Sequence, residues 1–289
     1  MQKALIYPLI VLSPVLSFSQ PNEQDELIFQ SAVDWLNRKL EYIYYDEVSQ
    51  KWWLNRFYVN KEKEVTIKNT HTSHPRSVSI KEKTFHTRGF KIQNINPYQI
   101  SLRKIERNQG RIVKGTLLEL KTVDNRKDIH QKINERTGTD VSFVQISLPS
   151  FMTDSIPNFA ESVQAKLKEA IIAVTKVYAS GSLEENKNKI FEIMVGSYEN
   201  DNGEEMQGTK KFDNVISLGG GTSENYFVFT PADKFFYLTS LSSEGVTFKK
   251  YQLIQDEKIV LQNIESTEDL ITFETLNSFT FNNQLYYRK

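Results

Sequence analysis

The stretch Tyr226-Phe227-Val228-Phe229-Thr230-Pro231-Ala232-Asp233-Lys234-Phe235-Phe236-Tyr237-Leu238-Thr239-Ser240 consists of two aromatic and apolar runs around a Pro-Ala-Asp turn. Phe, Tyr, Val and Thr suit a pleated surface, and proline and aspartate break it. Runs this close pair as a hairpin. Working outward, the same reading gives strands over 210–218, 246–254, 258–262, 270–275 and 278–287. Asn202-Gly203, Gly219-Gly220-Gly221 and Glu244-Gly245 lie between strands as turns. Many short strands joined by hairpins predict an antiparallel β-barrel or sandwich. A helical or extended entry is expected near 190–195.

The N-terminal half opens with a helix. Leu27, Ile28, Ala32, Trp35, Leu36 and Leu40 recur at three-to-four spacing. Strand-like segments follow at 52–59, 65–67, 78–80, 100–102, 112–123 and 141–148. A second helix carries Val163, Leu167, Ala170, Ile171, Val174 and Tyr178 on one stripe, and Asn158 with Glu161 has the spacing of a capping box. The fold class is therefore α+β and mostly antiparallel β: a helix-flanked small sheet or barrel over 20–178, a Gly/Ser linker over 179–188 and an antiparallel β domain over 189–289.

Residues 1–19 read as a signal peptide. Lys3 supplies the positive start, the apolar stretch 4–16 contains Pro8 and Pro14, and Ser17 and Ser19 supply small residues for cleavage after Ser19. About 13 apolar residues are too few for a spanning helix. The expected location is secreted or periplasmic, with no transmembrane segment after processing. The chain has no cysteine, which removes disulfides, thiol nucleophiles and thiolate metal sites.

Net charge is zero overall but is divided, about +6 over 20–178 and −7 over 179–289. The positive excess is densest between Arg76 and Lys114. Lys81, Lys83, Arg88, Arg103, Arg107 and Arg111 form a candidate anion-binding face. Three uses are open: solvated outward positions, docking on the acidic half, or an external anion site. In an exported protein the partner would be an anionic glycan or lipid of the envelope, or an envelope protein; nucleic acid is not expected.

Tyr42, Tyr44, Tyr45, Trp52, Trp53, Phe57 and Tyr58 cluster. Aromatic rings can stack on sugars, but on a strand Trp52 and Trp53 face opposite ways, so one could line a platform and the other would supply core. His71 and His74 are a weak metal pair, short of the three ligands a catalytic zinc needs. Glu199, Asp201, Glu204 and Glu205 surround Asn202-Gly203 without calcium-loop spacing. Ser101-Leu102-Arg103-Lys104 matches Ser-x-x-Lys, yet its companion motifs do not occur. No cofactor is expected. Dispersed carboxylates for hydrolysis leave no motif.

Three resemblances add to this. The order of strands then helix resembles the pleckstrin-homology-like architecture. Met194-Val195-Gly196-Ser197-Tyr198 resembles the start of lipocalin-like domains, where a Gly-x-aromatic turn closes the barrel floor and tryptophan stands at the place of Tyr198. The whole resembles secreted proteins of the Bacteroidota, in the export signal ending Ser17-Phe18-Ser19-Gln20 and in Asp34-Trp35-Leu36. The leading expectation is a non-catalytic binding or scaffold protein, with a small apolar ligand in a lipocalin-like barrel. An interaction module using the basic face and an envelope hydrolase are the alternatives.

Overall fold

Helix α1, Glu23–Lys39, starts where the Asn22 side chain accepts the Gln24 N–H at 3.2 Å. Acids fill its first turn and Arg38 and Lys39 its last, matching the helix dipole. The computed structural model describes residues 22–46, 51–72, 83–108, 112–133, 138–220, 223–242, 245–255 and 257–289. The export segment lies outside the described residues.

Four antiparallel strands follow: β1 Tyr42–Asp46, β2 Lys51–Val59, β3 Glu64–Thr72 and β4 Lys83–Lys91. Next come β5 Ser101–Asn108, β6 Ile112–Lys121, β7 Ile129–Ile133, β8 Thr139–Val141 and β9 Phe143–Pro149. Their pairing makes two sheets, one of order β1-β2-β3-β4-β7-β8 and one of order β5-β6-β9. A single turn, α2 Ser150–Thr153, leads to α3 Phe159–Thr175. Helices α1 and α3 pack on each other and on the sheets around one core that includes Leu36, Phe57, Ile67, Leu118, Ile146 and Leu167. The helix-flanked sheet region expected here is present, and it consists of two sheets sharing a helix pair. Asn158 does precede α3, but its backbone is left-handed (φ 53°) and its side chain makes no capping bond, so the capping box does not form.

The expected linker over 179–188 is ordered. Asn186 is buried and its side chain bonds both the N–H and the C=O of Ser180, and Ser182 caps α4, Leu183–Met194. Small polar residues here build a tight corner instead of a spacer.

Ten strands close a barrel: β10 Gly196–Asn200, β11 Glu205–Phe212, β12 Val215–Gly220, β13 Ser223–Thr230, β14 Phe235–Ser242, β15 Gly245–Gln255, β16 Ile259–Asn263, β17 Ser266–Thr275, β18 Ser278–Phe281 and β19 Gln284–Arg288. Each pairs antiparallel with the next, and β19 returns to β10 with Arg288 opposite Tyr198. The hairpin of 226–240 has Phe227 opposite Leu238 and Phe229 opposite Phe236, all four buried. The result is a barrel, not a sandwich. The barrel has ten strands, against the eight of the lipocalin-like barrel expected from the sequence.

Helix α4 seals one end of the barrel. Ile190, Phe191, Ile193 and Met194 join the barrel core, and the Phe191 ring lies 6.3 Å from that of Phe227. The fit depends on Gly208, where a Cβ would stand 1.7 Å from the Met194 carbonyl oxygen. Arg288 fastens the same end. Its Nη2 donates to the carbonyls of Glu192 and Val195 at 3.0 and 2.8 Å, and to Tyr198 Oη at 3.0 Å.

The halves are joined by neutral contacts for the most part. The Val177 N–H donates to Glu274 O at 3.0 Å and the Leu276 N–H to Thr175 O at 2.8 Å. Tyr98 stacks on Tyr287 at 5.1 Å, and the Asn96 side chain donates to Arg288 O. An ion pair across the joint, Arg288 with Asp124 at 4.0 Å, has its cation in the acidic half.

Candidate functional site

Strand alternation puts three cross-strand rows on the inner face of the six-stranded sheet. The deepest is Phe57–Ile67–Arg88–Gln131. The next is Tyr42–Asn55–Asn69–His86–Ile133. The outermost is Tyr44–Trp53–His71. Phe57 and Ile67 belong to the core, while the polar and aromatic ends of the rows emerge into a cleft. Its far wall is the three-stranded sheet, through Ile105, Leu117, Gln145 and Ser147. The cleft holds about 470 Å³, within the range of small-molecule sites. Tyr42, buried, ties the walls together by donating its hydroxyl to Ser147 O at 2.5 Å.

Arg88 sits at the floor. Its Nε donates to Gln131 Oε1 at 3.2 Å and its Nη1 to Asn69 Oδ1 at 3.4 Å, and its Nη2 lies 3.5 Å from His86 Nδ1. Every one of these partners is neutral or can be neutral. Asn69 in turn donates to Asn55 Oδ1 at 2.6 Å, and Asn55 donates to Leu40 O, the C-cap of α1, at 2.8 Å. The relay fixes the guanidinium from the end of a helix. Burial holds the Arg88 pKa below its usual value. Burial, and then the Arg88 charge, lowers that of His86. Among the described residues no carboxylate pairs with Arg88 and none lines the cleft. Burying a cation with no counter-ion is costly. The five guanidinium N–H groups exceed the three contacts made, leaving donors for a ligand.

The sequence candidates divide. Arg88 lines the cleft. Arg103 lies opposite Leu117 on the cleft-side face of β5, exposed and beyond the lining. Lys83 and Arg107 are on β4 and β5, so the two belong to different sheets. Lys81 and Arg111 lie outside the described residues, as does His74. Trp53 faces the cleft, whereas Trp52 turns outward against Tyr45 at 5.2 Å; neither belongs to the core. The His71 ring lies 5.2 Å from that of Trp53, and among the described residues no group of three metal-ligating side chains occurs. The acidic tip at 199–205 is organised by Asn200, whose Oδ1 accepts the N–H groups of Asn202 and Glu204 at 3.0 and 2.9 Å. Lys289 pairs with Glu199 and Glu205 there.

Sequence reasoning missed Asn55, Asn69 and Gln131. Single amides in strands carry no motif, and β7 was not foreseen. A second groove of about 350 Å³ includes Asp154 and Glu161, both exposed. An acid catalyst held protonated needs burial, which these positions lack. The barrel interior is occupied by its own side chains, among them Tyr198, Phe227, Phe236, Tyr251, Phe273 and Phe279, all fully buried. No helix among the described residues is long and apolar enough to cross a membrane.

In comparisons with known proteins, no family model, no curated protein and no solved structure matches the chain.

Proposed function

We propose that the chain is an exported, non-catalytic binding protein that holds an anionic ligand in the cleft between its two N-terminal sheets. The carrying observation is Arg88: a half-buried guanidinium, hydrogen-bonded to amides and beside an imidazole, facing open space without a carboxylate. Such a group recovers its lost hydration when an anion enters. The barrel serves this reading as a scaffold. A small apolar ligand inside it would have to displace the aromatic core that fills it. Hydrolysis finds little support, since no carboxylate is among the described lining residues and the acid beside the far wall, Glu119, is held by the Gln145 amide at 2.8 Å. Export by cleavage after Ser19 belongs to the same proposal, and N-terminal sequencing of the native protein should then begin at Gln20.

The test follows the Arg88 Nε resonance by NMR while sodium acetate or sulfate is added. A saturable shift is expected, accompanied by shifts of the Asn69 and Gln145 side-chain amides that disappear in Arg88→Gln. An Arg88 signal indifferent to every anion sinks the reading.

A further inference from the structure

We infer that the anion taken by this cleft is the carboxylate of a sugar acid, with its ring held against Tyr44 and Trp53. This rests on the anion-binding reading above and narrows it. Three observations converge. First, the floor holds one cation: Arg88 stands beside His86, a neutral contact for it, and no second cationic side chain lines the cleft among the described residues. One planar guanidinium matches one carboxylate in a paired geometry, whereas a doubly charged phosphate ester would leave a net charge uncompensated. Second, Tyr44 and Trp53 are directly opposite on β1 and β2, half-buried, and both line the cleft. Adjacent flat rings offer an amphipathic wall to the apolar face of a pyranose. Third, the remaining lining mixes donors and acceptors. Asn69, Gln145 and Ser147 can serve ring hydroxyls, which both give and accept hydrogen bonds. Asn69 and Gln145 each keep an N–H and a lone pair beyond their bonds to Asn55, Arg88 and Glu119, and a purely apolar acid would leave that capacity unused.

The geometry places the three functions in order across the sheet. Trp53 is in the outer row, Asn69 in the middle row and Arg88 in the deepest. A sugar acid entering carboxylate-first meets the cation at the floor and leaves its ring beside the aromatic wall. Further units of a chain would extend outward past His71.

The test is a fluorescence and calorimetric titration of the full chain with trigalacturonate, galactotriose, benzoate, acetate and sulfate. Of the three tryptophans, Trp35 packs on Phe159 and Trp52 faces away. A ligand-dependent emission change should therefore vanish in Trp53→Leu. Expected is binding of trigalacturonate with that change, at least tenfold weaker in Arg88→Gln and in Trp53→Leu, and no binding of galactotriose. If acetate, sulfate or benzoate binds as tightly as trigalacturonate and Trp53→Leu leaves affinity unchanged, the sugar assignment is wrong while the anion site stands. If no anion binds and Arg88→Gln behaves as wild type, both fall.

Discussion

At the scale of single residues, Arg88 marks where stability and binding pull apart. Its guanidinium is partly desolvated without an opposite charge, so replacing it with an apolar side chain of similar length should not cost stability. Arg88→Met is expected to leave the urea unfolding free energy unchanged or raise it by about 1 kcal/mol, while abolishing anion binding. A loss above about 2 kcal/mol would show the residue to be structural. Tyr198 makes a pH prediction. Burial pushes its hydroxyl up to about 12, although Arg288 partly offsets this. The unfolded chain loses that proton near 10 and the folded chain keeps it, so stability is full below pH 10 and falls as pH rises toward 12. The rise from 10 to about 12 corresponds to about 3 kcal/mol. Tyr42 and Tyr251, also raised by burial, act in the same direction. Urea midpoints at about pH 9 and about pH 11 measure the drop. Arg88 was visible in the sequence as one member of a basic run. What set it apart, its row and its neutral neighbours, depends on the pairing of β4 with β3 and β7.

At the scale of elements, Gly208 carries the contact between α4 and β11. A methyl group would overlap the Met194 carbonyl at 1.7 Å, and two backbones have no soft side chain to yield. Gly208→Ala is expected to cost about 3 kcal/mol or more and to lower the melting temperature. Gly219→Ala, with open space around it, should change little. Denaturant curves of the two variants settle the comparison. Strong patterns were legible here. The stripe from Leu27 to Leu40 became α1, although Leu27 itself is exposed; that from Val163 became α3, which ends at Thr175 and leaves Tyr178 beyond it; and the hairpin of 226–240 pairs. Strand β4 was not read, since half of its inner face lines a polar cleft and alternation fails as a signal there. The turn of α4 at 183–188 was masked by polar residues that cap and brace instead of packing. Ser182 and Asn186 look like spacer residues until their partners are known.

At the scale of the whole molecule, the charge division left open, beside a solvated face and an external anion site, that the basic half docks electrostatically on the acidic one. The joint instead uses backbone hydrogen bonds, a Tyr98–Tyr287 stack and the buried Asn96, with Asp124 and Arg288 reversing the expected signs. Such contacts respond weakly to salt. Raising sodium chloride from about 0.05 to about 0.5 M should move the melting temperature by less than about 2 °C, and the halves should melt in one transition. A shift of ten degrees, or two resolved transitions, would restore the electrostatic account. The barrel class and the presence of two cores could be inferred from sequence. Closure could not, because the pairing of β10 with β19 is a long-range fact that no local pattern contains.

That seam also imposes a timetable on a chain made from its N-terminus. Tyr198 and Arg288 are bonded across 90 positions, so Phe227, Phe236 and Leu261 have no finished interior until the final strand has emerged from the ribosome. Before that moment the growing barrel is an open ribbon with two raw edges and a bare aromatic face. Such a polypeptide stays loose enough to be threaded through a translocation channel. One that remained where it was made would need a chaperone on those edges for the whole interval.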